Sequence, residues 1–485
     1  MAILILRVIE KLLIIYFLLY FIIDIGLFIY SLFVFLRKKK PEPDLRDYSG
    51  HFVSIIVPAY NEDVSIVHCT KMLLELDYPS FEVIVVNDGS GDHTFEVLRK
   101  NFDFSETEQS GSVGLKTKQI RNIFRSSDGL LVLIDKENGG KADSINAGIN
   151  FARGNYICTI DADSILDSRA LKEVVRPFIT NPNTMVSGGQ LAAANDMILV
   201  HNKVVSSKTP SNIWVLWQII EYIKSFMISR IGLSRINALL IMSGAFSLYK
   251  KSDLLEIGGF LTAHNTHPYI GRTIGFGKQT VCEDMEIVVR LWQFKRDKNI
   301  KAKAVFVPEP VCWTEVPDNG KSLFKQRSRW QQGLAETLKI HRRMVFEPAY
   351  GITGLIGLPY YFIFELFSPL IKIFTFIFII LSAAYGLINY KWAILMIFSV
   401  LLITAVILSS ITAIIENWSQ HQHNVSRDAL RYKSFLDWLW LMVAGILAEF
   451  SYSFYKIAAQ TDGLINFLRR KNNWNKFARK GVKNL

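Results

Sequence analysis

The sequence predicts an α/β fold, a Rossmann-like, parallel-rich sheet embedded between α-helical transmembrane segments. Three observations predict it. Half of the 485 residues are hydrophobic and the mean hydropathy is positive, a balance uncommon in soluble chains. Long apolar runs lie towards both ends of the chain. Between them, short β-branched runs alternate with segments of helical character, the pattern of buried parallel strands joined by crossover helices.

The first apolar run, residues 12–36, is interrupted only by Asp24 and can cross a bilayer at ~1.5 Å per residue. It lacks the short core and small-residue cleavage site of a signal peptide, so it reads as an anchor. Arg37, Lys38, Lys39 and Lys40 follow, and the positive-inside rule puts what comes next in the cytosol. Residues 1–40 are thus expected as a transmembrane anchor and residues 41–345 as a cytosolic domain.

Within that domain the candidate strands are residues 53–57, 82–86, 130–134 and 156–160. Ligands bind beyond the carboxyl ends of such strands. Polar groups collect there: Pro58 to Glu62, Asn87 to Ser90, Asp135 to Lys141 and Asp161 to Asp163. Residues 101–129 break the pattern, and 105–114 read as a mobile polar insertion. Amphipathic segments near 212–228 and 321–343 are expected in the lipid headgroup layer. Apolar stretches at 351–370, 373–388, 392–415 and 436–457 make residues 346–468 a set of transmembrane or re-entrant helices. Residues 469–485 form a basic, cytosolic tail.

The net charge of +12 is concentrated beside apolar runs, which points to anionic membrane lipids and away from a nucleic-acid partner. The four cysteines are far apart and have no Cys-x-x-Cys or zinc-finger spacing. A disulfide framework is not expected, and a reducing compartment fits.

Four short motifs carry candidate chemistry. Asp161 and Asp163 are alternate residues of a strand-end loop, so their carboxylates can share one side and hold a hard divalent ion, Mg2+ or Mn2+. Such an ion can neutralise a diphosphate leaving group. In Asn138-Gly-Gly-Lys141 the glycines permit close backbone approach and the lysine offers a point charge to phosphate, without Walker A spacing. Glu283 and Asp284 precede a helical run, where a carboxylate either caps the helix or serves as a general base. Gln326, Arg329 and Trp330, at i, i+3 and i+4, share a helical face. There an arginine can clamp phosphate and a tryptophan can stack on a sugar, although a basic helix on lipid would look the same.

In this order the motifs resemble those of family 2 glycosyltransferases, over roughly residues 53–333. The resemblance is to the membrane-integrated, processive branch that makes cellulose, hyaluronan, chitin and poly-N-acetylglucosamine. It implies the type A nucleotide-sugar transferase fold and an inverting hexosyltransferase. It assigns nucleotide-sugar binding to Pro58, Glu62, Asp88, Lys141, Asp161, Asp163, Gln326, Arg329 and Trp330. Asp284 becomes the catalytic base, and Asp163 with Asp161 the metal site. Ser243, Gly244, Phe246, Glu283 and Trp330 become acceptor contacts. The implied partners are a nucleoside-diphosphate sugar (a UDP-sugar is favoured), a growing glycan or lipid acceptor, membrane lipids and accessory export subunits. The implied function is sugar addition to a polysaccharide coupled to its export, in a multi-pass cell-membrane protein. Single-sugar transfer to a membrane lipid, or a non-catalytic sugar-nucleotide-binding role in an export complex, are the alternatives. Cys282 departs from the threonine that many members have, and the segment from Met242 to Phe246 departs from the cellulose-synthase form.

Overall fold

The computed structural model describes residues 2–36, 43–107, 114–388, 390, 391, 394 and 430–470. The basic cluster at 37–40, nearly all of the apolar stretch at 392–415 and most of the basic tail lie outside the described residues. Helix α1 (Ala2–Leu36) is longer than the apolar run anticipated, because Ile3, Leu4 and Ile5 extend its apolar surface. Then come α2 (Leu45–Ser49), β1 (Val53–Ala59), α3 (Ile66–Leu74), β2 (Phe81–Asp88), α4 (Thr94–Asn101), β3 (Phe104–Glu106), β4 (Ile120–Ser126) and β5 (Leu131–Lys136). The chain continues through α5 (Lys141–Phe151), β6 (Tyr156–Ile160), β7 (Ser164–Leu166), α6 (Ala170–Thr180), β8 (Thr184–Ala193) and a hairpin of β9 (Met197–Val200) and β10 (Lys203–Ser207). Next are α7 (Ile213–Tyr222), a π-helical segment Ile223–Arg230, α8 (Ile231–Arg235), β11 (Phe246–Lys250), α9 (Lys251–Glu256) and α10 (Pro268–Thr273). Helix α11 (Glu283–Asp297), β12 (Lys303–Thr314) and α12 (Gly320–Ile340) complete the domain.

Among the described residues ten strands form one sheet in the order β3-β4-β5-β2-β1-β6-β11-β8-β12-β7. Its centre, β5-β2-β1-β6, is parallel. These strands are buried on both faces, which is why their sequences are nearly continuous Val, Ile and Leu. The four runs read as strands are all strands here. Residues 101–129 are not simply an insertion: β3 and β4 add antiparallel to β5 and extend the sheet edge. Their polar composition suits strands near a solvated sheet edge; residues 108–113 lie outside the described residues.

Helix α7 also differs from expectation. Val215, Leu216, Trp217, Ile219 and Ile220 are buried, so its apolar surface faces protein. Beyond α12 the chain bends: Thr353–Leu366, which includes a short α13 (Leu358–Tyr360), meets α14 (Ser368–Ala384) at 45° across Phe367. Helices α15 (Phe435–Leu447) and α16 (Ser453–Leu468) run on as one apolar unit. Helix α15 covers α7, with the Trp217 indole N–H donating to the Ala444 carbonyl at 3.0 Å. Ile3–Val34 and Phe435–Leu468 are each long and apolar enough to cross a membrane, and the bent pair could be a third span. The protein is membrane-associated.

The start of β6 shows how closely the central strands approach. Gly154 donates its N–H to Ser54 Oγ at 2.8 Å, and a Cβ there would lie 2.7 Å from Ser54 N and 2.8 Å from Phe52 O. Both are backbone atoms at the start of the buried strand β1, where the chain cannot yield. Gly154→Ala should therefore cost about 2 kcal/mol of stability, read as a lower midpoint of thermal unfolding in detergent.

Candidate active site

The four parallel strands all end at one edge of the sheet, and their loops form one wall of a cleft of about 1260 Å3, open mouth included. Pro58, Glu62, Asp88, Lys141, Asp161 and Asp163 line it. Strand β11 is antiparallel to β6, with Phe246 opposite Ile160. The residues just before β11 therefore run beside those just after β6, which brings Ser243, Gly244 and Ala245 against Asp161 to Asp163. Phe246 itself does not line the cleft. It begins β11 and is fully buried in the core, so the acceptor-side contact expected of it is not available, and only the small residues before it line the cleft.

Lys141 owes its position to Asp88. The buried Asp88 carboxylate accepts the Gly139 N–H at 2.9 Å and the Gly140 N–H at 2.8 Å. It is paired with the buried Lys136 ammonium at 2.6 Å. Lys136 also meets Asp143 at 2.7 Å, which meets His264 at 2.6 Å. Gly140 takes φ 87°, and a Cβ on Gly139 would fall 2.5 Å from Asp143 Oδ1; the turn requires both glycines. Helix α5 then starts at Lys141, whose ammonium stands 2.6 Å from Asp161 and 3.0 Å from Glu283. It also donates to the Gly244 carbonyl at 3.3 Å. Burial pushes this ammonium down, but the Asp161 and Glu283 carboxylates outweigh it and hold Lys141 well above the usual lysine range.

Cys282 precedes α11, so Glu283 and Asp284 occupy its first turn. Asp284 accepts the Gly244 N–H at 3.0 Å and its neighbour Met285 N–H at 2.8 Å. Burial, and then the adjacent Glu283 charge, push the Asp284 carboxyl up to about 6 against the opposing pull of Lys141, the Gly244 N–H and Arg230. Gln326, Arg329 and Trp330 of α12 form the facing wall. Trp330 is 37% exposed, with its ring turned to the cleft rather than buried.

Asp161 and Asp163 both line the cleft, and Asp163 is buried. Among the described residues no cluster of three His, Cys, Asp or Glu side chains makes a metal site alone. Two carboxylates beside an open cleft nonetheless fit a hard cation whose remaining ligands are diphosphate oxygens and water. Sequence reasoning missed Tyr222, Thr314 and Glu315, which also line the cleft. Thr314 ends β12 and Glu315 follows it; the strand is hidden in the sequence by Pro308 and Pro310, which argue against a strand in mid-sheet. Register shifts around Val307 and Pro310 accommodate them.

Residues 156–451 match the description "Glycosyl transferase family group 2", and residues 54–257 match "Glycosyl transferase family 2". The chain belongs to the family 2 glycosyltransferases. It is 29% identical over 313 residues to a poly-beta-1,6-N-acetyl-D-glucosamine synthase of Staphylococcus epidermidis, covering 64% of this chain and 62% of that one. The corresponding synthase of Staphylococcus aureus is 28% identical over 301 residues, covering 62% of this chain and 58% of that one. The match thus spans about three fifths of the length of these curated relatives. A solved mannosyltransferase, PcManGT from Pyrobaculum calidifontis in complex with GDP-Man and Mn2+, superposes with a TM-score of 0.56 at 18% identity. That alignment covers 96% of this chain and 99% of that one, and indicates a shared fold.

Asp88→Ala would leave Lys136 with Asp143 as its remaining carboxylate and free two N–H groups of the glycine turn. It should cost about 3 kcal/mol in detergent-phase unfolding, with Asp88→Asn costing less.

Proposed function

We propose that this protein is an inverting glycosyltransferase that moves a sugar from a UDP-linked donor to a growing polysaccharide, with export of the chain coupled to its membrane helices. The observation that carries this reading is convergence on one cleft. Lys141, Asp161, Asp163 and Asp284 meet Gln326, Arg329 and Trp330 there, in a family 2 chain flanked by apolar helices. The likeness to poly-beta-1,6-N-acetyl-D-glucosamine synthases supports a polymer product and makes UDP-N-acetylglucosamine the first donor to test.

In this reading the donor base and ribose sit against Pro58, Glu62 and Asp88. Lys141 and Arg329 offer positive charge to the diphosphate, which displaces Asp161 and Glu283 as the partners of Lys141. When bound, a divalent ion held by Asp163 with Asp161 supplies charge neutralisation of the leaving group. The Trp330 ring offers a face to the acceptor sugar. Asp284 takes the proton from the acceptor hydroxyl as it attacks the anomeric carbon, and the configuration inverts. A carboxyl raised to about 6 is a stronger base than an ordinary aspartate yet is ionised at neutral pH.

Purified protein in lipid vesicles, given nucleotide sugars with Mn2+ or Mg2+, tests the reading directly. Nucleoside diphosphate release with a ladder of labelled products supports it, and a single glycolipid product would replace the polymer with a lipid acceptor. Asp284→Asn should lower transfer by about 10³-fold with UDP affinity little changed; full activity would remove Asp284 as the base. Because the base works only when deprotonated, kcat/KM should rise with pH to an inflection near 6 and then level off. Glu283→Gln removes the neighbouring like charge and should move that inflection downwards. Asp163→Ala should abolish metal-stimulated turnover, and a variant still stimulated by Mn2+ would rule out its ligand role.

A further inference from the structure

Gln326 and Trp330 line the cleft, but Arg327 between them does not, and its side chain is 2% exposed. Its guanidinium is used on every nitrogen. Nη1 donates to Gln326 Oε1 at 2.6 Å, while Nε and Nη2 donate to Glu221 Oε2 at 3.1 Å and 2.5 Å. Its Cζ lies 4.1 Å from the centroid of the Trp330 ring, a cation–π contact. One buried side chain therefore touches both of its cleft-lining neighbours without lining the cleft itself.

Glu221, near the end of α7, is the other half of the arrangement. Its Oε1 pairs with Lys456 Nζ at 2.6 Å, and its Oε2 accepts the Tyr452 hydroxyl at 2.6 Å. Tyr452 and Lys456 belong to the C-terminal membrane unit. Burial opposes ionisation of Glu221, but Arg327 and Lys456 outweigh it and hold the carboxyl well below the usual range. The rear of α12 is fixed to α16 as well. Ser328 Oγ donates to Asp462 at 2.6 Å, and a Cβ on Gly463 would fall 2.3 Å from the Ser328 carbonyl oxygen, so the two backbones touch.

We propose that Glu221 is a positioning residue for the acceptor side of the reaction, setting the Trp330 ring through Arg327 and tying it to the membrane helix that carries Tyr452 and Lys456. This rests on the glycosyl-transfer reading above. On the donor side Lys141 is held by Asp161, Glu283 and the Gly244 carbonyl, so loss of the cluster separates transfer to an acceptor from binding of the donor. Replacing the carboxylate with an amide leaves the buried Arg327 guanidinium without its counter-charge beside the partly exposed Lys456, and Arg327 no longer has a reason to stay over the indole.

The full chain in lipid vesicles, supplied with UDP-N-acetylglucosamine, Mn2+ and a short N-acetylglucosamine oligosaccharide, tests this. Glu221→Gln should raise the KM for the oligosaccharide, or lower transfer to it, by about tenfold, while UDP affinity and slow donor hydrolysis by water change less than about twofold. Glu221→Asp keeps the charge and should recover most of the loss. Combining Glu221→Gln with Arg327→Met should be no worse than the poorer single variant, because both break one chain of contacts. Unchanged transfer in Glu221→Gln overturns the proposal. So does a parallel fall of UDP affinity, transfer and unfolding temperature that Glu221→Asp fails to rescue. A cryo-EM comparison supplies a readout independent of activity: the Trp330 ring should leave its wild-type orientation in Glu221→Gln, and an unmoved ring also overturns the proposal. If the wild-type protein releases no nucleoside diphosphate from any sugar nucleotide, the glycosyl-transfer reading fails, while the ring position still decides the positioning role.

Discussion

Lys141 brings one positive charge among carboxylates that approach the cleft from elements far apart in the chain, Asp161 at 2.6 Å and Glu283 at 3.0 Å, with Asp284 close by. Without it, like charges in a partly desolvated space would repel or take up protons. With it, Asp161 and Glu283 are compensated, and Asp284 retains an elevated but physiological basicity. The position of that ammonium is itself a product of the fold. Asp88 holds the two glycine N–H groups that fix where α5 begins, and β11 enters the sheet antiparallel so that Gly244 can reach Asp284. Small residues at this junction are a spatial requirement: a Cβ on Gly244 would come within 3.0 Å of Lys141 Nζ and 3.2 Å of Asp284 Oδ2.

The facing wall follows a different logic. Helix α12 has a front that lines the cleft and a rear that is gripped on two sides. Ser328 meets α16 through Asp462, and Gln331 donates to the Leu366 carbonyl of the bent segment at 3.0 Å. One half of the site is thus carried by strand ends and the other by α12, whose rear the C-terminal apolar helices hold. The cleft closes only where the two parts pack together.

Most of the first half was legible in the sequence. Residues 53–57, 82–86, 130–134 and 156–160 could be read as buried strands because strands covered on both faces need continuous apolar runs. The rule that ligands lie beyond their carboxyl ends then pointed to Glu62, Asp88, Lys141, Asp161 and Asp163. Harder to read were β3 and β4, whose polar composition mimics a loop, and β12, whose prolines argue against a strand. Phe246 was misjudged by a single residue, since nothing in Ser-Gly-Ala-Phe marks where the turn ends and β11 begins. Helix α7 was taken for a lipid-facing helix because an apolar surface covered by α15 and one covered by lipid have the same composition.

By itself the sequence determined the α/β character, the apolar helices around it, the chemistry of the residue types and the helical face shared by Gln326, Arg329 and Trp330. These depend on local periodicity and on side-chain chemistry, both of which are present in a linear string. Only the tertiary structure decided that Lys141 joins Asp161 to Glu283, that Gly244 holds Asp284, and that Glu221, Arg327 and Lys456 form one cluster. Each of these contacts spans tens to hundreds of residues in sequence. They exist because an antiparallel strand enters a parallel sheet and because a membrane helix packs against the back of α12, neither of which leaves a periodic signal in the chain.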